Sequence, residues 1–196
     1  MRRTFLLTLF ALAAAGCPDD LAKRCPPESV PSGHYTLTTT VQQTPDLCLR
    51  VREADGGPLQ PGEDASILNS QQSSTDSILC AGNSDAGPTV FLVVASSDVV
   101  RQTPLDPAGS FNFVSPTLPQ VASVCVCTTD VNETISGVFF GGGTSGFALG
   151  ADGGLEPQPT AMDGSVLQTL TNPDGGPCLC NIPCAVHYAL IGTPNR

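Results

Sequence analysis

Tryptophan is missing from this 196-residue chain, and only two tyrosines and two histidines occur. A chain so poor in large aromatics has few residues that bury much area each, so its stability must draw on another source. The two imidazoles, His34 and His187, form no His-Glu-x-x-His pattern of the zinc hydrolases. Cations are scarce as well: eight Lys and Arg stand against eighteen Asp and Glu, for a net charge of −10. Beyond Arg2 and Arg3 they are Lys23, Arg24, Arg50, Arg52, Arg101 and Arg196, scattered along the chain. Without a basic patch there is no footprint for nucleic acid, nor for electrostatic attachment to anionic lipid. A long apolar run is lacking too. Phe5 to Ala15 gives eleven residues, too few to cross a hydrocarbon core of roughly 30 Å as a helix.

Signatures of chemistry are equally thin. Gly82-Asn83-Ser84-Asp85-Ala86 and Gly143-Thr144-Ser145-Gly146-Phe147 each lack the final glycine of a nucleophile elbow, and no helix is expected after either serine. The glycine-rich stretch 141–146 has neither the lysine nor the following helix of a phosphate loop. Asp152, Glu156 and Asp163 lie near glycines but do not fit the spacing of a calcium loop. Asn132-Glu133-Thr134 matches the glycosylation acceptor pattern. No catalytic residue, cofactor or enzymatic activity is expected.

Cysteine is what the chain has in abundance: Cys17, Cys25, Cys48, Cys80, Cys125, Cys127, Cys178, Cys180 and Cys184. The odd total of nine leaves one over if all the rest pair. The first of them closes a distinctive segment, in which Arg2-Arg3 precedes the apolar run and Ala14-Ala15-Gly16 leads into Cys17. This ending resembles the lipobox of bacterial lipoproteins, although Ala14 stands where the family prefers Leu. The resemblance implies a signal peptide over 1–16, cleaved so that a lipidated Cys17 becomes the N-terminus, and a cell-envelope location, inner or outer membrane left open. Secretion without a lipid is the alternative. Arg2-Arg3-Thr4-Phe5-Leu6 is also similar to the core of twin-arginine export signals, but Met1 occupies the place of the usual polar residue.

With Cys17 lipidated, eight cysteines remain, the even number expected in an oxidising compartment. Eight allow up to 105 pairings, among which sequence does not choose. Four disulfides at roughly 2–4 kcal/mol each would supply the missing stability. Cys178, Cys180, Cys184 and His187 form the one cluster with metal-ligand character, since sulfur plus imidazole at close spacing suits zinc or copper. Oxidation to disulfides is the competing reading.

Residues 17–33, with Pro18, Pro26, Pro27, Pro31 and Gly33, read as a tether without helix, pinned at its far end by Cys25. Residues 34–196 read as a single domain. Tyr35, Leu37, Thr39 and Val41 alternate with polar residues, a strand period, and Leu47, Leu49 and Val51 repeat it. Val90 to Ala95 predicts a central strand covered on both faces. Further strands are expected at 77–81, 110–114, 120–129, 134–140, 166–170, 178–182 and 184–191, with a hairpin turn at 130–133 and loops at 60–76 and 141–164. The two Cys-x-Cys pairs are expected to bond outward, because residues two apart on a strand are too distant for an easy bridge. The fold expected is all-β and disulfide-stapled, an antiparallel β-sandwich or alternatively a β-barrel. Asp-Gly-Gly turns at Asp55, Asp152 and Asp174 resemble those of myxobacterial envelope lipoproteins. The function expected is a structural or binding module held to the membrane by its lipid, with envelope proteins or extracellular glycans as partners. A periplasmic metal-handling or thiol-redox protein is the alternative.

Overall fold

The computed structural model describes residues 19–52, 57–58, 72–122 and 125–195. A short helix, α1 (Asp19–Ala22), precedes β1 (Ser29–Gln42), β2 (Gln72–Ser84), β3 (Gly87–Val94), β4 (Val100–Pro104) and β5 (Ser110–Val114). Then follow β6 (Leu118–Ala122), β7 (Cys127–Phe140), β8 (Ala148–Leu149), β9 (Leu155–Glu156), β10 (Ala161–Thr171) and β11 (Cys184–Pro194). The all-β class is as the sequence predicts.

Nine of these strands form one antiparallel sheet in the order β4-β3-β2-β1-β11-β10-β7-β5, with β6 also paired to β7. The sheet curls until its ends approach, and the Asn112 amide of β5 donates to Thr103 Oγ1 of β4 at 3.3 Å. The hydrogen-bonded path is unbroken and nearly closed, so of the two architectures expected the barrel describes it more closely than two separate sheets. Closure leaves a single inner face, where the period-two residues converge: Tyr35 and Leu37, Leu79, Leu92, Phe113, Ile135, Val166 and Leu190 are all buried in one core. Where β7 crosses β10, Gly137 faces Gly164. A Cβ on Gly137 would collide with the Asp163 carbonyl and with the Phe111 ring at 2.8 Å, so glycine is needed for β10 and that ring to approach β7 this closely.

Within β3, Val90 to Val94 are covered on both sides, as expected. Its inner face joins the barrel core, while Phe91 and Val93, with Ile78 and Cys80 of β2, pack outward against Leu21, Ala22 and Cys25. The Cys25–Cys80 disulfide fixes that contact. The segment expected to be a helix-free tether thus departs from expectation: 19–22 is helical, β1 begins at Ser29, and the boundary at residue 34 falls inside that strand. An apolar outer patch on β2 and β3 gives these residues something to bury, which composition alone does not reveal.

Other elements also shift. The glycine-rich loop expected over 141–164 contains the β8–β9 hairpin, and β10 already starts at Ala161. This segment folds onto one end of the barrel, burying Phe147 and Leu155. Ser32 Oγ accepts from the Leu155 amide at 2.9 Å, and Tyr35 Oη donates to the Pro159 carbonyl at 2.8 Å. Residues 130–133 lie within β7, and the hairpin from β6 turns instead between Ala122 and Cys127. There Val126 has φ 53°, a left-handed conformation rare for a β-branched residue. Strand β4 was not legible, and residues 72–76, expected in a loop, extend β2. The strands expected at 47–52 and 178–182 are reduced to isolated bridges, Leu47 to Ala185 and Arg50 to Cys180.

Candidate functional site

The barrel interior is filled unevenly. At the end covered by 141–160, the core is closed by aromatic and aliphatic side chains, with Phe111 and Phe139 centroids 4.6 Å apart and Phe139 edge-on to Phe147 at 6.0 Å. Burial pushes the Tyr35 phenol up to about 12 in this half. Toward the opposite end the inner face opens into a cavity of about 330 Å³, which includes Leu37, Thr39, Arg101, Glu133, Gln168 and Leu190 in its lining.

Strand parity places three polar side chains on the inner face of this half. Arg101 is on β4 opposite Leu92 with Thr103 as its inward neighbour, while Glu133 on β7 and Gln168 on β10 face each other and each interrupts an inward row that is apolar on either side. Arg101 Nε donates to Glu133 Oε1 at 2.7 Å, and its Nη2 lies 2.6 Å from the same oxygen. Arg101 Nη1 donates to the Val99 carbonyl at 3.1 Å, and Gln168 Nε2 donates to Glu133 Oε2 at 2.8 Å. The Arg101 side chain is 7% exposed and that of Glu133 15%. A guanidinium carries five N–H groups. Three are used here, so two of Arg101's N–H have no protein acceptor among the described residues. Nearer the mouth, exposed Ser73 and Ser96 bond to half-buried Thr39 and Thr75, at 2.7 and 3.3 Å. The cavity therefore grades from buried Leu37, Ile135, Val166 and Leu190, past a neutralised ion pair, to a hydroxyl-lined opening.

The cysteines lie elsewhere. All eight described cysteines are paired: Cys25–Cys80, Cys48–Cys184, Cys125–Cys180 and Cys127–Cys178. The two Cys-x-Cys motifs bond outward, as expected, and to each other in antiparallel order. Cross-linked segments 47–52, 125–127 and 178–185 are further tied by Leu179, whose amide donates to the Cys125 carbonyl at 2.9 Å and whose carbonyl accepts from Val51 at 2.8 Å. Cys178, Cys180 and Cys184 thus go to three different disulfides, and His187 Nε2 lies 3.1 Å from Asp46 Oδ2. Among the described residues no group of three or more His, Cys, Asp or Glu is placed to hold a metal. Asp152 Oδ1 caps its own turn through the Gly154 amide at 2.9 Å. Ser84 Oγ bonds Thr89 Oγ1 at 2.8 Å in the β2–β3 hairpin. Cys17 lies outside the described residues.

Arg101, Glu133 and Gln168 were missed by reading the sequence for site residues. Arg101, in the short polar row of β4, carries no signal, but for Glu133 and Gln168 one was present, a charged or amide side chain interrupting an apolar inward row, as Glu133 does between Val131 and Ile135. It is legible only once the strand bounds are right, and the turn expected at 130–133 concealed it.

Comparison with protein-family models, with curated proteins and with solved structures gives no match.

Proposed function

We propose that this chain is a lipid-anchored cell-envelope protein of binding type, which takes a small ligand into the open half of its barrel. The observation that carries this reading is the uneven filling of the interior. A protein interior is close-packed, and a roughly 330 Å³ space with unused guanidinium donors is a ligand-sized departure from that rule. Cysteine parity supports the anchor: the eight described cysteines pair among themselves, so of nine only Cys17 lacks a partner within the chain. That is the residue to which the lipobox resemblance assigns the lipid. The metal or thiol-redox alternative is disfavoured because the sulfurs it needs are in disulfides. No catalytic role is assigned.

The test is to recover the full chain from the envelope of a bacterial host, wash it, denature it, and analyse the released small molecules by mass spectrometry. Thr39→Trp, which places an indole in the mouth without touching the ion pair, serves as control. A molecule released from the wild type and depleted from Thr39→Trp supports binding at the cavity. Equal release from both, or none from either, overturns it.

A further inference from the structure

The chemistry of the cavity narrows what it can hold. Its formal charges, Arg101 and Glu133, neutralise each other through two contacts to one carboxylate oxygen. A ligand with its own charge would bring it into a buried space without a counter-ion, which disfavours it. A neutral ligand avoids that. The two unused N–H groups of Arg101 call for an acceptor oxygen at that level of the cavity. Deeper in, Leu37, Ile135, Val166 and Leu190 offer only apolar contact. At the mouth Thr39, Ser73, Thr75 and Ser96 offer hydroxyls that both donate and accept. A volume of about 330 Å³ lies at the small end of small-molecule sites and suits a head group with a short tail.

Building on the binding role proposed above, we infer that the ligand is a neutral, short-chain acylated polyol. Its acyl tail lies against the apolar floor, its carbonyl oxygen accepts from Arg101, and its hydroxylated head sits among the serines and threonines of the mouth. Acylglycerols and acylated sugars share this chemistry.

Calorimetric titration of the full chain in lipid nanodiscs with monohexanoylglycerol, 6-O-hexanoylglucose and hexanoate tests the inference. At least one neutral ester binds saturably, and hexanoate binds at least about tenfold more weakly, the equivalent of 1.4 kcal/mol. Whichever ester binds identifies the source of the head group. Thr39→Trp abolishes that binding. Glu133→Gln removes the neutralising carboxylate and leaves Arg101 unpaired, so the preference reverses toward hexanoate. Should Glu133→Gln fail to fold, the wild-type selectivity and Thr39→Trp decide alone. Binding of hexanoate as tight as that of the ester, absence of binding by both esters, or binding unaffected by Thr39→Trp overturns the assignment. A charged molecule released from the cavity in the envelope recovery experiment would overturn the ligand class while leaving the binding role standing. No released molecule and no bound probe would remove both.

Discussion

Arg101 on β4 reaches Glu133 on β7 with its Nη2 2.6 Å from the carboxylate, beyond the last residue of β5. Among the described residues β4 has no ladder to β5 or β6, the two strands that share one edge of β7, and Glu133 lies between their registers. The pair therefore closes the barrel by side chains where backbone hydrogen bonding stops, and in the same place forms part of the cavity lining.

Removing one partner strands a mostly buried charge, so Glu133→Gln should destabilise the fold by roughly 3 kcal/mol. The double variant Arg101→Met with Glu133→Gln should recover part of that loss. Denaturant unfolding of the two single variants and the double variant measures the coupling. Additive losses would mean the two side chains do not act as a pair.

Disulfides should dominate the stability. Cys48–Cys184 closes a separation of 136 residues, worth about 5 kcal/mol of unfolded-chain entropy if formed alone. At this size 1 kcal/mol moves Tm by roughly 2–4 °C, so full reduction of the four bonds should lower Tm by at least about 10–20 °C. A chelator should leave the melt unchanged. A chelator effect equal to that of reductant would revive the metal reading.

Cys17→Ala should block maturation or move the protein from the membrane to the soluble or precursor fraction, because several acyl chains hold stably and none hold without the thiol. Fractionation and immunoblotting read this directly. A mature, membrane-bound Cys17→Ala protein would end the lipoprotein proposal.

Tyr35 supplies a pH dependence. Its folded pKa is raised by burial to about 12 from an ordinary 10.0. The folded state therefore holds the proton more tightly, stability is unaffected below pH 10, and it falls as pH rises from 10 toward 12. The loss should reach about 2 kcal/mol. Tyr35→Phe should begin less stable, without the Pro159 hydrogen bond, but lack the decline in that window. An identical alkaline slope in both proteins would show that another group is responsible.

Val126 is 67% exposed and sits at φ 53° between two disulfide-bonded cysteines. A left-handed residue costs roughly 1–2 kcal/mol, against about 0.5–1 kcal/mol for the added freedom of an unfolded glycine. Val126→Gly should thus raise stability by up to about 1 kcal/mol, seen as a higher urea midpoint with unchanged slope. A lower midpoint would place unrecognised packing at this side chain.

The sequence by itself determined the class of structure and the disulfide fate of the cysteines from Cys25 to Cys184. Period-two alternation in residues such as Tyr35, Leu37 and Thr39 is a local property, and the inner face of β1 follows from it. The spacing of Cys125 with Cys127 and of Cys178 with Cys180 pointed to outward bonds, which form although neither motif lies within a regular strand. Tertiary structure decided what depends on which strands become neighbours. Pairing of Cys48 with Cys184, or of one Cys-x-Cys motif with the other, is chosen by sheet order, and 105 pairings are equal until that order exists. Glu133 reads as a polar turn residue in one dimension. It becomes half of a buried ion pair because closing the barrel brings β4 to the end of β5, where a carboxylate can be buried only opposite the guanidinium of Arg101.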